Sequence, residues 1–207
     1  MKLIVVTNDC LPVEKLSKTL RAIEPYIDAV ILREKSKSEA EIHAILQLLK
    51  KEGFPTEKVT VHANATLAKE NGIRSVQLPG NSKPLAQLHR EFPNLSFGKS
   101  IHSLSEAKEA EEQGASSVLY GHLFPTASKP GFQPRGTAEL REIIAAIKIP
   151  TYVIGGIQPE HIETLKTLEI GGVAIMSSIW HAEDPVEKAR QYRNAMDKGG
   201  IKDGEDN

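Results

Sequence analysis

The chain has 207 residues and a formal net charge of −1, with 26 Lys and Arg against 27 Asp and Glu. That balance argues against a nucleic-acid binder, because phosphate backbones reward a strong cationic excess, and no apolar run approaches the ~20 residues a membrane-spanning helix needs. The length suits one domain with a sizeable core, and the single cysteine, Cys10, cannot form an internal disulfide, which fits a reduced, cytoplasmic setting.

Short runs rich in Val and Ile alternate with longer runs whose apolar residues recur every three or four positions. The first kind suits buried parallel strands and the second amphipathic helices. Leu3–Thr7 reads as the first strand, since the N-terminal apolar stretch is too short for a signal peptide. A helix opening at Pro12 runs through Leu16, Leu20 and Ile23. Ala29–Leu32 is the second strand, leading into Arg33-Glu34-Lys35. The next helix starts with a capping-box spacing, Ser38 to Glu41, and stops at Gly53.

Val59–Val61 is the third strand, followed by a short helix, Thr66–Asn71. Ser75–Leu78 is the fourth strand, with a helix from Pro84 to Phe92. Ser96–Ile101 is the fifth, and Ser103 to Glu106 again has capping-box spacing. Val118–Leu123 is the sixth strand and Thr137–Ile147 its helix. Thr151–Ile154 is the seventh, running into Gly155-Gly156, and Pro159 leads a helix to Leu168. Val173–Met176 is the eighth, with Ser177-Ser178 at its exit. Pro185–Met196 is the last helix, and residues 199–207 form a polar, glycine-rich tail of the kind that stays disordered.

Eight strand–helix units without a composition break predict an α/β fold, a single (β/α)₈ TIM barrel over residues 1–198. A doubly wound open sheet is the main alternative. It needs a glycine-rich phosphate loop after the first strand, and Asn8-Asp9-Cys10-Leu11 is not one.

A barrel builds its site from the C-terminal ends of its strands. Those ends supply Thr7 and Asn8; Arg33 and Lys35; His62 and Asn64; Gln77; Ser100 and His102; His122, then Thr126, Ser128 and Lys129; Gly155-Gly156; and Ser177-Ser178. Apart from Glu34 the set is nearly free of carboxylates, which favours an anionic ligand and disfavours Mg²⁺. Neither CxxC nor HExxH occurs, so zinc has no evident home. Gly155-Gly156 and Ser177-Ser178 flank the place where barrels often bind phosphate on backbone amides. The bland reading of these pairs is a turn and a helix cap.

Arg33 and Lys35, two apart on an extended chain, point the same way, and an arginine can hold a carboxylate or phosphate bidentately. Histidine, with a reference pKa of about 6.5, is the natural proton shuttle near neutral pH. His43, His89 and His161 fall on helices and read as surface residues. His62, His102 and His122 fall at strand exits. His122 stands out because Gly121 precedes it and the loop of Thr126, Ser128 and Lys129 follows. It is the candidate acid/base.

Leu32-Arg33-Glu34-Lys35, Gly98-Lys99-Ser100-Ile101-His102, Phe124-Pro125-Thr126-Ala127-Ser128-Lys129-Pro130 and Ile154-Gly155-Gly156-Ile157 occur in this order. In these landmarks the chain resembles the thiamin phosphate synthase superfamily over most of its length. Val76-Gln77-Leu78-Pro79, Ser100-Ile101-His102-Ser103-Leu104 and Tyr120-Gly121-His122-Leu123-Phe124 are most similar to its TenI group, the thiazole tautomerases of thiamin biosynthesis.

The resemblance implies that a synthase carries Asn-Asp after the third strand and a further aspartate after the fourth, holding Mg²⁺ on a pyrimidine diphosphate. Here those places read His62-Ala63 and Pro79-Gly80-Asn81-Ser82. For the tautomerase group it implies an isomerase in which His122 moves one proton on a thiazole phosphate carboxylate, without cofactor or metal. The phosphate would rest on Gly155, Gly156, Ser177 and Ser178, with Thr126, Ser128 and Lys129 completing the cradle and Arg33 or Lys35 facing the carboxylate. Ser100 and His102 are further candidates. A homodimer is implied by the resemblance alone. Two alternatives stay open: a working thiamin phosphate synthase, and a non-catalytic barrel that binds a phosphometabolite.

Overall fold

The computed structural model describes residues 1–126, 131 and 133–198. Eight strands, β1 (Lys2–Val6), β2 (Ala29–Leu32), β3 (Val59–His62), β4 (Ser75–Leu78), β5 (Ser96–Ile101), β6 (Ser117–Gly121), β7 (Thr151–Ile154) and β8 (Gly172–Ile175), close into one barrel in chain order. Every neighbouring pair is parallel, and Lys2 to Val5 of β1 pairs with Gly172 to Ile175 of β8 to complete the ring. The helices between them are α1 (Val13–Ile23), α2 (Glu39–Lys51), α3 (Ala65–Glu70), α4 (Leu85–Glu91), α5 (Leu104–Glu112), α6 (Ala138–Ala146), α7 (Ile162–Lys166), α8 (Ser177–Trp180) and α9 (Pro185–Asp197). None of the described helices is long and apolar enough to cross a membrane.

The period-two alternation of a strand sorts the core into two parts. On β1, Leu3 and Val5 belong to the large cluster between sheet and helices, with Leu16, Leu20 and Tyr192. Ile4 and Val6 belong to a smaller cluster with Ile31, Leu119 and Ala174, which fills the barrel interior. Strands buried on both faces must be apolar at nearly every position, and this is why they read as continuous Val/Ile runs.

Several element ends shift by a residue or two from the sequence reading, and two differences bear on the site. β6 stops at Gly121, so Leu123 lies past the strand, although its amide still donates to the Ile154 carbonyl at 2.9 Å. The expected Pro159–Leu168 helix is a 3₁₀ turn, Pro159–His161, followed by the short α7. Ser177-Ser178, at the exit of β8, opens the short α8. The Ser38–Glu41 capping box is complete, whereas Glu106 reaches past Ser103 and accepts the His102 amide at 2.6 Å. The tail, residues 199–207, lies outside the described residues.

The barrel seam is fastened by residues far apart in sequence. Trp180 donates its indole N–H to the Val6 carbonyl at 2.6 Å. Arg193 of α9 donates to the Tyr26 carbonyl at 3.0 Å and to the Asp28 carboxylate at 2.6 Å, and Asp28 also accepts the Leu3 amide.

Candidate active site

A cavity of about 400 Å³ opens at the C-terminal ends of the strands. Its floor is the top of the interior cluster: Val6, Ile31, Leu119, Ile154, Ala174 and Met176. An apolar floor with polar walls suits a flat, partly apolar ligand with anionic arms. The walls bring together nearly every residue singled out from sequence: Arg33, Lys35, Ser100, His102, His122, Thr126, Gly155, Gly156, Ser177 and Ser178 all line it. Ser128 and Lys129 lie outside the described residues. His62 and Gln77 line it too, as does Gln158, which sequence reasoning passed over.

His122 is held in place from several directions. Its side chain lies in the cavity wall, and the residue is only 7% exposed. The Gly121–His122 peptide bond is cis. The His122 carbonyl accepts the Arg135 amide at 3.0 Å. The preceding carbonyl, of Gly121, lies 2.9 Å from His102 Nδ1. A carbonyl can only accept, so His102 carries its proton on Nδ1 there. Opposite His122 Cβ sits Gly155, at φ +103°, where an added Cβ would collide with the histidine. Glycine is required both by the backbone angle and by that contact. Gly156 repeats the arrangement at φ +66°, against the carbonyls of Phe124 and Pro125.

The cationic side of the mouth comes from β2. Thr7, fully buried, accepts the Arg33 amide on its hydroxyl at 2.7 Å. Glu34 does not face the ligand space. It is 4% exposed and bonds Lys37 Nζ at 2.5 Å while accepting the Asp9 amide at 3.2 Å. Asp9 in turn accepts the Ser36 amide and hydroxyl at 2.7 and 2.8 Å. This knot locks the loops after β1 and β2 together, leaving Arg33 and Lys35 in the wall. Among the described residues, no carboxylate lines the cavity, and no group of three or more His, Cys, Asp or Glu could hold a metal ion.

His62 sits beside Arg33 and Lys35. Burial, with repulsion from those two cations, pushes its imidazole down to about 4. Relative to an unfolded pKa of about 6.5, the unfolded chain binds more protons between pH 6.5 and 4. The neutral His62 therefore contributes stability above pH 6.5 that is lost as pH falls toward 4. Thermal melts across that window should show a shallower decline in Tm for His62→Asn than for wild type. Identical slopes would exclude this role.

Two histidines read from sequence as surface residues are more engaged. His89 is half-buried, with Nε2 at 3.0 Å from the Gly114 carbonyl and its ring edge-on to Phe97. His161 stacks on Phe124 at 4.1 Å between centroids, and its Nδ1 accepts the Gln158 amide, which ties the β6 and β7 loops together. A second cavity, about 640 Å³, lies beside the first and shares Pro79, Gly80, Ser100 and His102 with it. Lys99 lines it and donates to Ser82 Oγ at 2.6 Å.

Against known proteins, residues 2–179 match the TMP-TENI family, described as thiamine monophosphate synthase. The thiamine-phosphate synthase of Pyrococcus horikoshii is 31% identical over 206 aligned residues, covering 96% of each chain. That of Caldivirga maquilingensis is 35% identical over 115 residues, so the chain spans 56% of that relative's length. Among solved structures, thiamine phosphate pyrophosphorylase from Pyrococcus furiosus superposes with a TM-score of 0.79 at 28% identity, covering 94% of this chain and 95% of that one.

Proposed function

The chain belongs to the thiamine monophosphate synthase family, and from that premise we propose that it is the family's thiazole tautomerase. The observation that carries this reading is His122, an imidazole in the wall of a cavity that no described carboxylate lines. A magnesium-held diphosphate, which the family resemblance implies for a synthase, does not fit this donor set. Mg²⁺ is held mainly by carboxylates and substrate phosphates. Here His62 and Ala63 stand after β3, and Pro79-Gly80-Asn81-Ser82 follows β4.

The substrate in this reading is a five-membered sulfur heterocycle with a ring carboxylate, an exocyclic double bond and an ethyl phosphate arm. Neutral His122 removes the proton from the ring carbon bearing the carboxylate. The electron pair released shifts through the ring toward the exocyclic carbon, which takes a proton back from the imidazolium. One proton leaves and one returns, so the enzyme ends as it began and the ring is aromatic. Aromatisation supplies the driving force, so the protein has only to position the ring and hold a base, work on the scale of about 10²–10⁴-fold. Gly155, Gly156, Ser177 and Ser178 would carry the phosphate, with Thr126 beside them. Ser128 and Lys129 stay in the proposal on sequence alone. Arg33 or Lys35 would face the carboxylate.

The names of the relatives favour a second reading, the synthase itself. Two assays separate the two. Purified protein should accelerate formation of the aromatic carboxythiazole phosphate over the spontaneous rate. The same protein should give no thiamin phosphate from pyrimidine diphosphate, thiazole phosphate and Mg²⁺. Robust thiamin phosphate would install the synthase. Acceleration of neither reaction, with thiazole phosphate still bound, would make the chain a binding protein.

A further inference from the structure

The proposed anion cradle is built from two separate loops, so its spacing is set only where something joins them. Gly155 and Gly156 both lie at positive φ, where only a residue without a side chain is at ease. Ser177 and Ser178 open a helix of four residues. Catalytic positioning tolerates little play, so such loops need a brace from outside.

Tyr192 supplies one. It belongs to α9, outside the barrel, and is fully buried. Its hydroxyl lies 2.7 Å from the carbonyl of Ile157, the residue after Gly156, and 2.5 Å from Ser178 Oγ. The directions of these bonds follow from chemistry. A carbonyl cannot donate, so the single phenolic proton goes to Ile157. Ser178 must then donate its own proton to the phenol oxygen. Burial pushes the Tyr192 phenol up to about 12, so it stays protonated and the arrangement persists through the working pH range. With its proton committed to Tyr192, the Ser178 hydroxyl has only lone pairs left. An anion at Ser178 is then met by the backbone amide and not by the hydroxyl.

We propose that Tyr192 is a positioning residue for the phosphate group, its hydroxyl tying Ile157 to Ser178 and thereby setting the spacing of the β7 and β8 loops. The inference rests on the phosphate cradle of the proposed function, but it does not depend on which reaction the protein performs.

The test is Tyr192→Phe, which keeps the ring in the core and removes one oxygen. Inorganic phosphate binding, measured by titration calorimetry, should weaken about fivefold, the scale of one net hydrogen bond. In the thiazole assay KM should rise by a similar factor while kcat holds, because His122 is untouched. Ser178→Ala breaks the same tie from the ligand side, so it should weaken phosphate binding comparably even where Tyr192→Phe folds poorly. The double variant should be no worse than either single one, since all three remove the same link. Unchanged phosphate affinity alongside a lower Tm would overturn the proposal, leaving Tyr192 as a core residue only. Additive losses, or a fall in kcat at constant KM, would overturn it as well. Wild-type protein that binds no phosphate would remove the cradle and the tie together. Phosphate binding that weakens as expected in a protein inactive on the thiazole would support the tie and sink only the tautomerase.

Discussion

Replacing His122 with alanine should reduce catalysed tautomerisation by about 10²–10⁴-fold, the range a positioned acid/base contributes, while thiazole phosphate still binds. The binding half of this expectation has a structural reason. Gly155 packs against the Cβ of His122, an atom alanine keeps, so the β7 loop retains its neighbour. Most of the groups proposed to hold the anionic arms come from the exits of β2, β7 and β8; Thr126 shares the loop after β6 with His122, but the substitution removes only the imidazole. The measurement is appearance of the aromatic product, with the spontaneous rate subtracted. A variant turning over near the wild-type rate would take the base away from His122 and the tautomerase reading with it.

The second large effect is on stability. Glu34→Ala should cost about 3 kcal/mol, the lower end of what breaking a buried ion pair costs. The Glu34 side chain is wholly buried and that of Lys37 is 9% exposed. Removing the carboxylate strands the ammonium, leaving Asp9 at 3.4 Å as its remaining ion-pair partner among the described residues. Burial alone would push Lys37 down, yet Glu34 and Asp9 hold it above the ordinary lysine range, and much of that support goes. The Asp9 amide also loses its acceptor. Urea unfolding at neutral pH measures the loss, and a change below about 1 kcal/mol, the scale of an exposed pair, would refute the picture of a buried knot. Replacing both partners by apolar residues of similar size should recover part of the stability, because no charge is then left unpaired.

The barrel was legible because its strands are buried on both faces and its helices on one, which gives two hydrophobic periods that alternate along the chain. The bounds of β2, β4, β5 and β7 follow directly from that pattern. The wall of the cavity was legible for a related reason, since a closed parallel barrel carries every strand exit to one rim.

What stayed hidden was pairing across the sequence. Glu34 looks like one charge in a basic stretch, and only the partner 25 residues away, the Asp9 amide, shows that it faces inward. His62 reads as a polar strand exit, and its depressed basicity depends on cations brought alongside it. Tyr192 fits the apolar stripe of an amphipathic helix, and nothing in that stripe reveals that its oxygen reaches two loops at the mouth. The split of the expected seventh helix escaped for a more local reason, the side chain of His161 capping the amide of Gln158.

The seam between β1 and α9 has a consequence for how the molecule comes into being. Arg193 fastens the carbonyl of Tyr26 and the carboxylate of Asp28, groups made some 165 residues earlier. In a chain made from its N-terminus those groups precede their partner by that whole stretch. The helix that fastens this seam also carries Tyr192, so the seam and the proposed brace of the anion cradle depend on the same element. A chain cut before α9 would keep His122 and both glycines yet lack the hydroxyl that bonds the Ile157 carbonyl and Ser178. In this reading the phosphate-binding geometry depends on a helix that is made after every strand of the barrel.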